Sequence, residues 1–429
     1  MRYVLTLGLT LGSLLVGGIL THAAEPSAGD FQLRDGDTVV FLGDSITAAR
    51  TYGKIIENYA LLRFPQRKIR FFNAGLGGDT AAGSLKRLDQ DVFAHRATVV
   101  IVAFGTNDIG WGLKADAEHK QKYLDAVREI ITRSRAHGAR VYLCSAAATA
   151  QAPDQADESF LQKMCDEGMQ LARDLGEHAI DVQRAMREVQ RKTIDYSSKA
   201  KEQVKLHLAD GAHLNELGQL AMAWAILKGL DAPAEVSSAH LDAATGQTVA
   251  VANCRIREIE RADGGVRFTR LDDGLPFNGG LFYALNFRFV PMLSELGRYE
   301  LRIDGLADGR YDVTAEGIKI GSYSSRQLAT GVNIASATGS AWKPGGPWAV
   351  QAVTVQSLTD ARHELAKAEM LARLYGNVDG SADELRAAAP ETDDRLIALQ
   401  RQAAKPRPYR FEVRPAAAES PTSKDDAPR

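Results

Sequence analysis

The sequence predicts an α/β fold, a parallel sheet layered between helices, followed by a smaller, mainly β module and a C-terminal helical segment. Three observations carry this. Between residues 37 and 230, short apolar runs rich in Val, Ile and Phe alternate with longer amphipathic ones, the pattern of parallel strands covered on both faces. After Ala232-Pro233 the runs shorten and are punctuated by Asp263-Gly264-Gly265, Asp308-Gly309 and Glu316-Gly317, which are hairpin turn signals. The stretch 348–375 then returns to a helical period, with Val355, Leu358, Leu365 and Leu374 among its apolar positions.

Taken in order, the first part reads as strands at 38–42, 69–73, 98–104, 140–145 and 178–182. Helical patterns cover 52–63, 80–93, 116–137 and 157–175, and a last helix covers 215–230. Right-handed crossovers bring the C-terminal ends of such strands to one edge of the sheet, where open α/β sheets bind ligands. The second part reads as strand-like runs at 249–259, 266–271, 299–304, 311–315 and 318–323. A chain of 429 residues exceeds one hydrophobic core. Its changes of texture divide it into a leader (1–24), an α/β domain (25–232), a β-rich module (233–340), a helical segment (341–415) and a tail (416–429). The tail's Ala/Pro/Ser/Asp/Lys composition reads as disordered.

The leader follows from Arg2, an apolar stretch from Val4 to Leu20, and the small residues of Thr21-His22-Ala23-Ala24, the order of a secretory signal peptide. The stretch is short for a membrane span and diluted by Gly17-Gly18. The mature chain is therefore expected to be secreted or periplasmic, with no stable membrane anchor. A net charge of −2, with 25% charged residues, gives no electrostatic reason to expect nucleic acid as a partner. Cys144, Cys165 and Cys254 match neither a disulfide framework nor zinc spacing, and no metal or other cofactor is expected. The sequence does not fix the oligomeric state.

The chemistry lies at the strand ends. Gly43-Asp44-Ser45 follows the first strand, Gly75-Leu76-Gly77-Gly78 the second, and Gly105-Thr106-Asn107-Asp108 the third. Asp210-Gly211-Ala212-His213 sits just before the last helix. A serine hydroxyl needs a base within hydrogen-bond reach. His213 supplies one if a third group holds its tautomer, and Asp210, three residues earlier in a tight loop, makes it a better base than nearby His207. The backbone amides of Ser45 and Gly78 and the side-chain amide of Asn107 are the candidates to face an oxyanion. No Gly-Lys-Ser/Thr follows Gly75–Gly78, which argues against a phosphate loop. Gly43-Asp44-Ser45-Ile46-Thr47 lacks the second glycine of a Gly-x-Ser-x-Gly elbow. Asp44 reads as a turn-forming residue, with a substrate contact as the alternative. Trp111 reads either as a rim aromatic that stacks on a sugar ring or as a plug in its own loop.

These motifs resemble the blocks of the SGNH, or GDSL, hydrolases. Gly43-Asp44-Ser45 is similar to block I, and Asn73-Ala74-Gly75-Leu76-Gly77-Gly78-Asp79-Thr80 to block II. Gly105-Thr106-Asn107-Asp108 is similar to block III and Asp210-Gly211-Ala212-His213 to block V. The resemblance covers roughly residues 37–230 and implies a three-layer α/β/α, flavodoxin-like domain. It implies Ser45 as nucleophile, His213 as base, Asp210 as its orienting partner, and Ser45, Gly78 and Asn107 as the oxyanion hole. Ile46 replaces the leucine of the family name and Leu214 a proline that often follows the histidine; neither touches a catalytic atom.

The implied activity is that of a serine esterase working through an acyl-enzyme. The exported members include carbohydrate O-acetylesterases, and the leader and β module favour that substrate class, a small-molecule or polysaccharide ester. A short-chain acyl-ester hydrolase or lysophospholipase is the alternative within enzymes. A non-catalytic carbohydrate-binding protein on a degenerate scaffold is the alternative outside them, opposed by the intact serine, histidine, aspartate and asparagine.

Overall fold

Five strands, β1 (Thr38–Gly43), β2 (Arg70–Gly75), β3 (Val99–Ala103), β4 (Arg140–Cys144) and β5 (His178–Ile180), form a parallel sheet in the order β2-β1-β3-β4-β5. The computed structural model describes residues 30–200, 202–339, 345–375 and 380–417. The expected signal peptide and residues 418–429 of the expected tail lie outside them. Successive side chains on a strand point to opposite faces, and the sequence exploits this. Val39, Phe41, Val99 and Ile101 enter one core, Val40, Leu42, Val100 and Val102 the other. Helices α1 (Thr51–Arg63), α4 (Val182–Ala200) and α5 (Glu216–Gly229) cover the first face, and α2 (Ala117–Ala136) and α3 (Phe160–Asp174) the second. The three-layer α/β/α domain expected from the sequence is what forms.

Local signals fix the ends of these helices. The side chains of Asp116, Ser159 and Asn215 each cap a helix by accepting a backbone N–H of its first turn. Two expected elements differ. The helix expected over 80–93 is broken into short turns from Ala81 to His95. Arg87 leaves helical geometry there (φ −114°) and points its guanidinium inward to the carbonyls of Ala74 and Gly43. The strand expected at 178–182 stops at Ile180, because Val182, Met186 and Val189 recur at helical spacing and open α4.

Beyond Pro233 the chain forms β6 (Glu235–Asp242), β7 (Gln247–Ala252), β8 (Cys254–Ala262), β9 (Gly265–Asp272), β10 (Arg298–Asp304), β11 (Arg310–Ala315), β12 (Ile318–Ser324) and β13 (Val332–Asn333). The helices α6 (Pro347–Tyr375) and α7 (Ser381–Ala404) follow, then β14 (Tyr409–Pro415). The strands build two sheets, β13-β10-β6-β7 and β12-β11-β14-β9-β8. The expected helical segment 341–415 is corrected here: its last residues are a strand at the centre of the second sheet. Tyr409, Phe411 and Val413 alternate inward beside Val266, Phe268 and Val313, a period of two that belongs to a strand. The division at 340/341 also cuts through one core, since Trp348, Ala349, Ala352 and Val355 of α6 pack in it with these residues. Among the described residues, no helix is long and apolar enough to cross a membrane.

Further along, α6 turns back onto the α/β domain. Glu57 of α1, 1% exposed, accepts hydrogen bonds from Arg362, from His363 at 3.0 Å and from Gln400 at 3.0 Å. Arg362 is also paired with Asp393 of α7 at 2.7 Å. Burial alone would disfavour the Glu57 carboxylate, but the Arg362 and His363 neighbours outweigh it and hold its pKa below the ordinary value. Removing Arg362 strands this charge in the interior. Arg362→Ala is expected to lower unfolding free energy by about 3–5 kcal/mol, measured by denaturant titration of the full chain.

Candidate active site

Ser45 opens a single helical turn, Ser45–Ala48, directly after β1. The turn is seated on the end of β2. Asn73 Nδ2 donates to the carbonyl of Thr47 at 2.8 Å. A Cβ at position 75 would fall 2.2 Å from Ala48 N, so only glycine allows this approach. Asp44 lies beneath the turn, 6% exposed, where its carboxylate accepts the N–H of Ile46 at 2.9 Å. The turn-forming reading of Asp44 stands, and the substrate contact is withdrawn because the carboxylate is inside.

His213 comes from the far end of the domain. Its loop is closed by a bridge between His207 and Leu214, and Asn215, two residues on, caps α5. Asp210 serves this loop with both oxygens. Oδ1 accepts the N–H groups of Ala212 at 3.0 Å and His213 at 2.9 Å, and Oδ2 accepts His213 Nδ1–H at 2.6 Å. With Nδ1 carrying the proton, Nε2 is left as an acceptor, and it stands 2.8 Å from Ser45 Oγ. The Ala212 amide, then the His213 side chain and amide, pull the Asp210 carboxyl down to about 2, so it remains ionised. His207, by contrast, is buried and bonded to the carbonyl of Ala148 at 2.8 Å. It braces the loop.

The remaining predicted residues converge on the same edge. Gly78 holds a left-handed backbone (φ 75°) that favours glycine. Neither its amide nor that of Ser45 donates to an acceptor among the described residues. Asn107 Nδ2 donates one hydrogen to the carbonyl of Asp79 at 2.9 Å, leaving its second free. Trp111 fixes that orientation. Its indole N–H, a donor only, reaches Asn107 Oδ1 at 2.8 Å, which forces the amide nitrogen the other way. The ring also lies edge-on to His213, centroids 5.5 Å apart, and is half exposed. Trp111 is therefore a rim aromatic that braces both Asn107 and His213, held at φ 58° between Gly110 and Gly112.

One feature escaped the sequence. Arg87 ties the site together from below, bonding Asp79 at 2.8 Å and the carbonyls of Ala74 at 2.7 Å and Gly43 at 3.2 Å. Nothing distinguishes it in sequence from an ordinary helix arginine. Asp108 is also buried; one oxygen accepts the N–H of Ala81 at 2.9 Å, and the other has no hydrogen-bond partner among the described residues. Burial pushes Asp108 up to about 7 and Asp44 up to about 6. Cys144, Cys165 and Cys254 are all free and buried.

A serine hydrogen-bonded to a histidine oriented by an aspartate, with amide donors at the same sheet edge, defines a serine hydrolase of the α/β/α class. Residues 41–221 match the model of the GDSL-like lipase/acylhydrolase family, and the chain is a carboxylic ester hydrolase of the SGNH type. Among solved structures, a gut microbial diltiazem-metabolizing enzyme is similar over 90% of this chain and 99% of its own, at 23% identity and a TM-score of 0.78. The fold is thus shared through the β module and the C-terminal helices as well. An acetylxylan esterase from Geobacillus stearothermophilus matches over 46% of this chain and 96% of its own, at 20% identity and a TM-score of 0.40. No curated protein matches the chain.

Two measurements test this description. In Trp111→Phe the ring remains but the tether on Asn107 is lost; kcat should fall about ten-fold with little change in KM, less than the roughly 10²–10³ lost with a whole oxyanion donor. For Asp108, a folded-state pKa raised above the unfolded value of about 3.9 means that the folded protein binds the proton more tightly. Stability is then highest below about pH 4 and declines as pH rises toward 7. Asp108→Asn removes that decline. Its melting temperature should exceed that of the wild type by on the order of 2–4 °C at pH 8, and the gap should shrink at pH 5.

Proposed function

We propose that Ser45, His213 and Asp210 are the catalytic triad of an exported O-acetylesterase acting on carbohydrate. The observation that carries the chemistry is the continuous hydrogen-bond chain from Asp210 through His213 to Ser45 Oγ, 2.6 and 2.8 Å long. Ser45 Oγ attacks the ester carbonyl carbon while its proton passes to His213 Nε2. The carbonyl oxygen becomes an oxyanion that receives the amides of Ser45 and Gly78 and the free Nδ2 hydrogen of Asn107. Collapse of the intermediate breaks the C–O bond to the alcohol, which leaves with the proton from His213. Water then repeats the sequence on the acyl-enzyme and releases the acid. Asp210 stays a carboxylate throughout and stabilises the imidazolium.

The sugar acetate is favoured by three features. The leader of Arg2, an apolar run and small residues reads as an export signal, and polysaccharide is an extracellular substrate. Trp111 offers a half-exposed aromatic face beside the base, the kind of surface on which a sugar ring stacks. The appended β module gives a polymer further surface.

A fluorophosphonate probe should label the wild type and not Ser45→Ala, and the variant should lose at least about 10⁴ in kcat while keeping its melting temperature. Across 4-nitrophenyl esters the rate should drop beyond butyrate, and acetylated oligosaccharides should release acetate. Undiminished turnover by Ser45→Ala would remove Ser45 as nucleophile. Rates climbing with acyl length would replace the sugar acetate with a lipid-type ester.

A further inference from the structure

Along β2, the edge strand of the α/β sheet, lies a cavity of about 780 Å3 walled on its other side by α6 and α7. Its lining follows β2 from Arg70 to Gly75 and on to Leu76, two residues before Gly78. Arg50, which joins the Ser45 turn to α1, also faces it. This guanidinium is 5% exposed and sits on a left-handed backbone (φ 66°), a conformation unfavourable for arginine that persists only where the surroundings enforce it. Its one hydrogen-bond partner among the described residues is His363 Nδ1 at 3.4 Å. His363 Nε2 in turn donates to Glu57 at 3.0 Å, which leaves Nδ1 as the acceptor.

The other arginines of the lining are matched with carboxylates: Arg87 with Asp79 and Asp91, Arg70 with Asp394, Arg362 with Glu57 and Asp393. Arg50 forms no salt bridge among the described residues. The acid whose field reaches it, Glu364, is bonded to Lys367 at 3.3 Å. Glu369 also lines the cavity, about 9 Å along α6 from His363 at the helical rise. A buried cation that lines a cavity and has no carboxylate partner among the described residues is suited to an anion, and a planar guanidinium matches a carboxylate with two parallel hydrogen bonds. Leu76, Leu365 and Met370 add apolar wall for the body of the ligand.

We infer that this cavity is a substrate subsite in which Arg50, oriented by His363, binds a carboxylate carried by the saccharide, so that the preferred ester is an acetylated acidic sugar. The inference rests on the carbohydrate reading above. Its test is binding, which separates it from the ester chemistry. The full-length Ser45→Ala protein is titrated calorimetrically with a uronate oligosaccharide and with its carboxyl-reduced, neutral counterpart. The acidic form should bind about ten-fold or more tightly, with the margin shrinking in about 0.5 M NaCl. The margin should vanish when Arg50→Gln is added and survive in part with Arg50→Lys, which keeps the charge without the fork. Melting curves establish that both variants fold; should Arg50→Gln unfold, a reduced margin in Arg50→Lys decides. Equal binding of the two sugars, no binding of either, or a margin untouched by both Arg50 variants overturns the inference. Hydrolysis of 4-nitrophenyl acetate by the protein with native Ser45 reports separately on the esterase reading.

Discussion

Ser45 is held where it is because residue 75 has no side chain. The turn that carries the nucleophile rests on the backbone of β2, with Ala48 N in the space a Cβ at 75 would occupy. Asn73 ties the same turn down through the carbonyl of Thr47. This contact sets the height of Ser45 above the sheet and, with it, the reach to His213 Nε2. It also places the Gly77-Gly78 amides next to the nucleophile, since they continue the strand on which the turn sits. Arg87 fastens the assembly from below through Gly43, Ala74 and Asp79. Any side chain at 75 would lift the serine and displace the donors together.

Around this seat the protein uses carboxylates in two opposite ways. Asp210 is solvent-facing and saturated with donors, so its charge is stable and available to the imidazole. Asp44 and Asp108 are buried, and the backbone N–H groups they accept, those of Ile46 and Ala81 among them, offset only part of the loss of water. Their pKa values rise accordingly. Both nevertheless shape the site, Asp44 by capping the nucleophile's turn and Asp108 by holding the start of the segment after Gly78. Strain near a reactive group is a common arrangement, and here it is an electrostatic strain beneath the serine.

The fold and the triad were legible for a specific reason. The strands of the sheet are buried on both faces and so read as unbroken apolar runs, and the chemistry falls in the loops that follow them. Ser45, Gly78, Asn107, Asp210 and His213 all meet at that edge. The misses have physical causes too. The breaks between 80 and 95 depend on Arg87 turning inward, a tertiary interaction with no local signature. The strand at 409–415 follows two helices and pairs with β9 and β11, more than 90 residues earlier in the chain; its alternation of Tyr409, Phe411 and Val413 is in the sequence, but the expected helical segment extends the helical period of 348–375 over it. The brace from Trp111 to Asn107 depends on a left-handed tryptophan between two glycines, which sequence periodicity does not register. Asp44 was read both ways because a tripeptide does not reveal which side chain faces the interior.

The two halves of the chain are joined through α1. Arg50, just before its start, adjoins the nucleophile's turn; its middle, Glu57, is buried against α6 and α7; and its end, Leu61 and Leu62, packs into the core of the β module. One helix therefore touches the active site, the polar joint and the second core. The joint is an expensive device: a buried carboxylate that a hydrophobic contact of the same size would replace without loss of stability. What an ionic joint provides and a hydrophobic one does not is direction. Glu57 fixes the His363 ring, and that ring leaves a single acceptor for Arg50. A hairpin that served only to cover β2 would need no such chain of hydrogen bonds. On the inference drawn above, the chain of hydrogen bonds ends on the guanidinium that binds the ligand, and α6 and α7 then form part of the substrate site rather than an appendage to it.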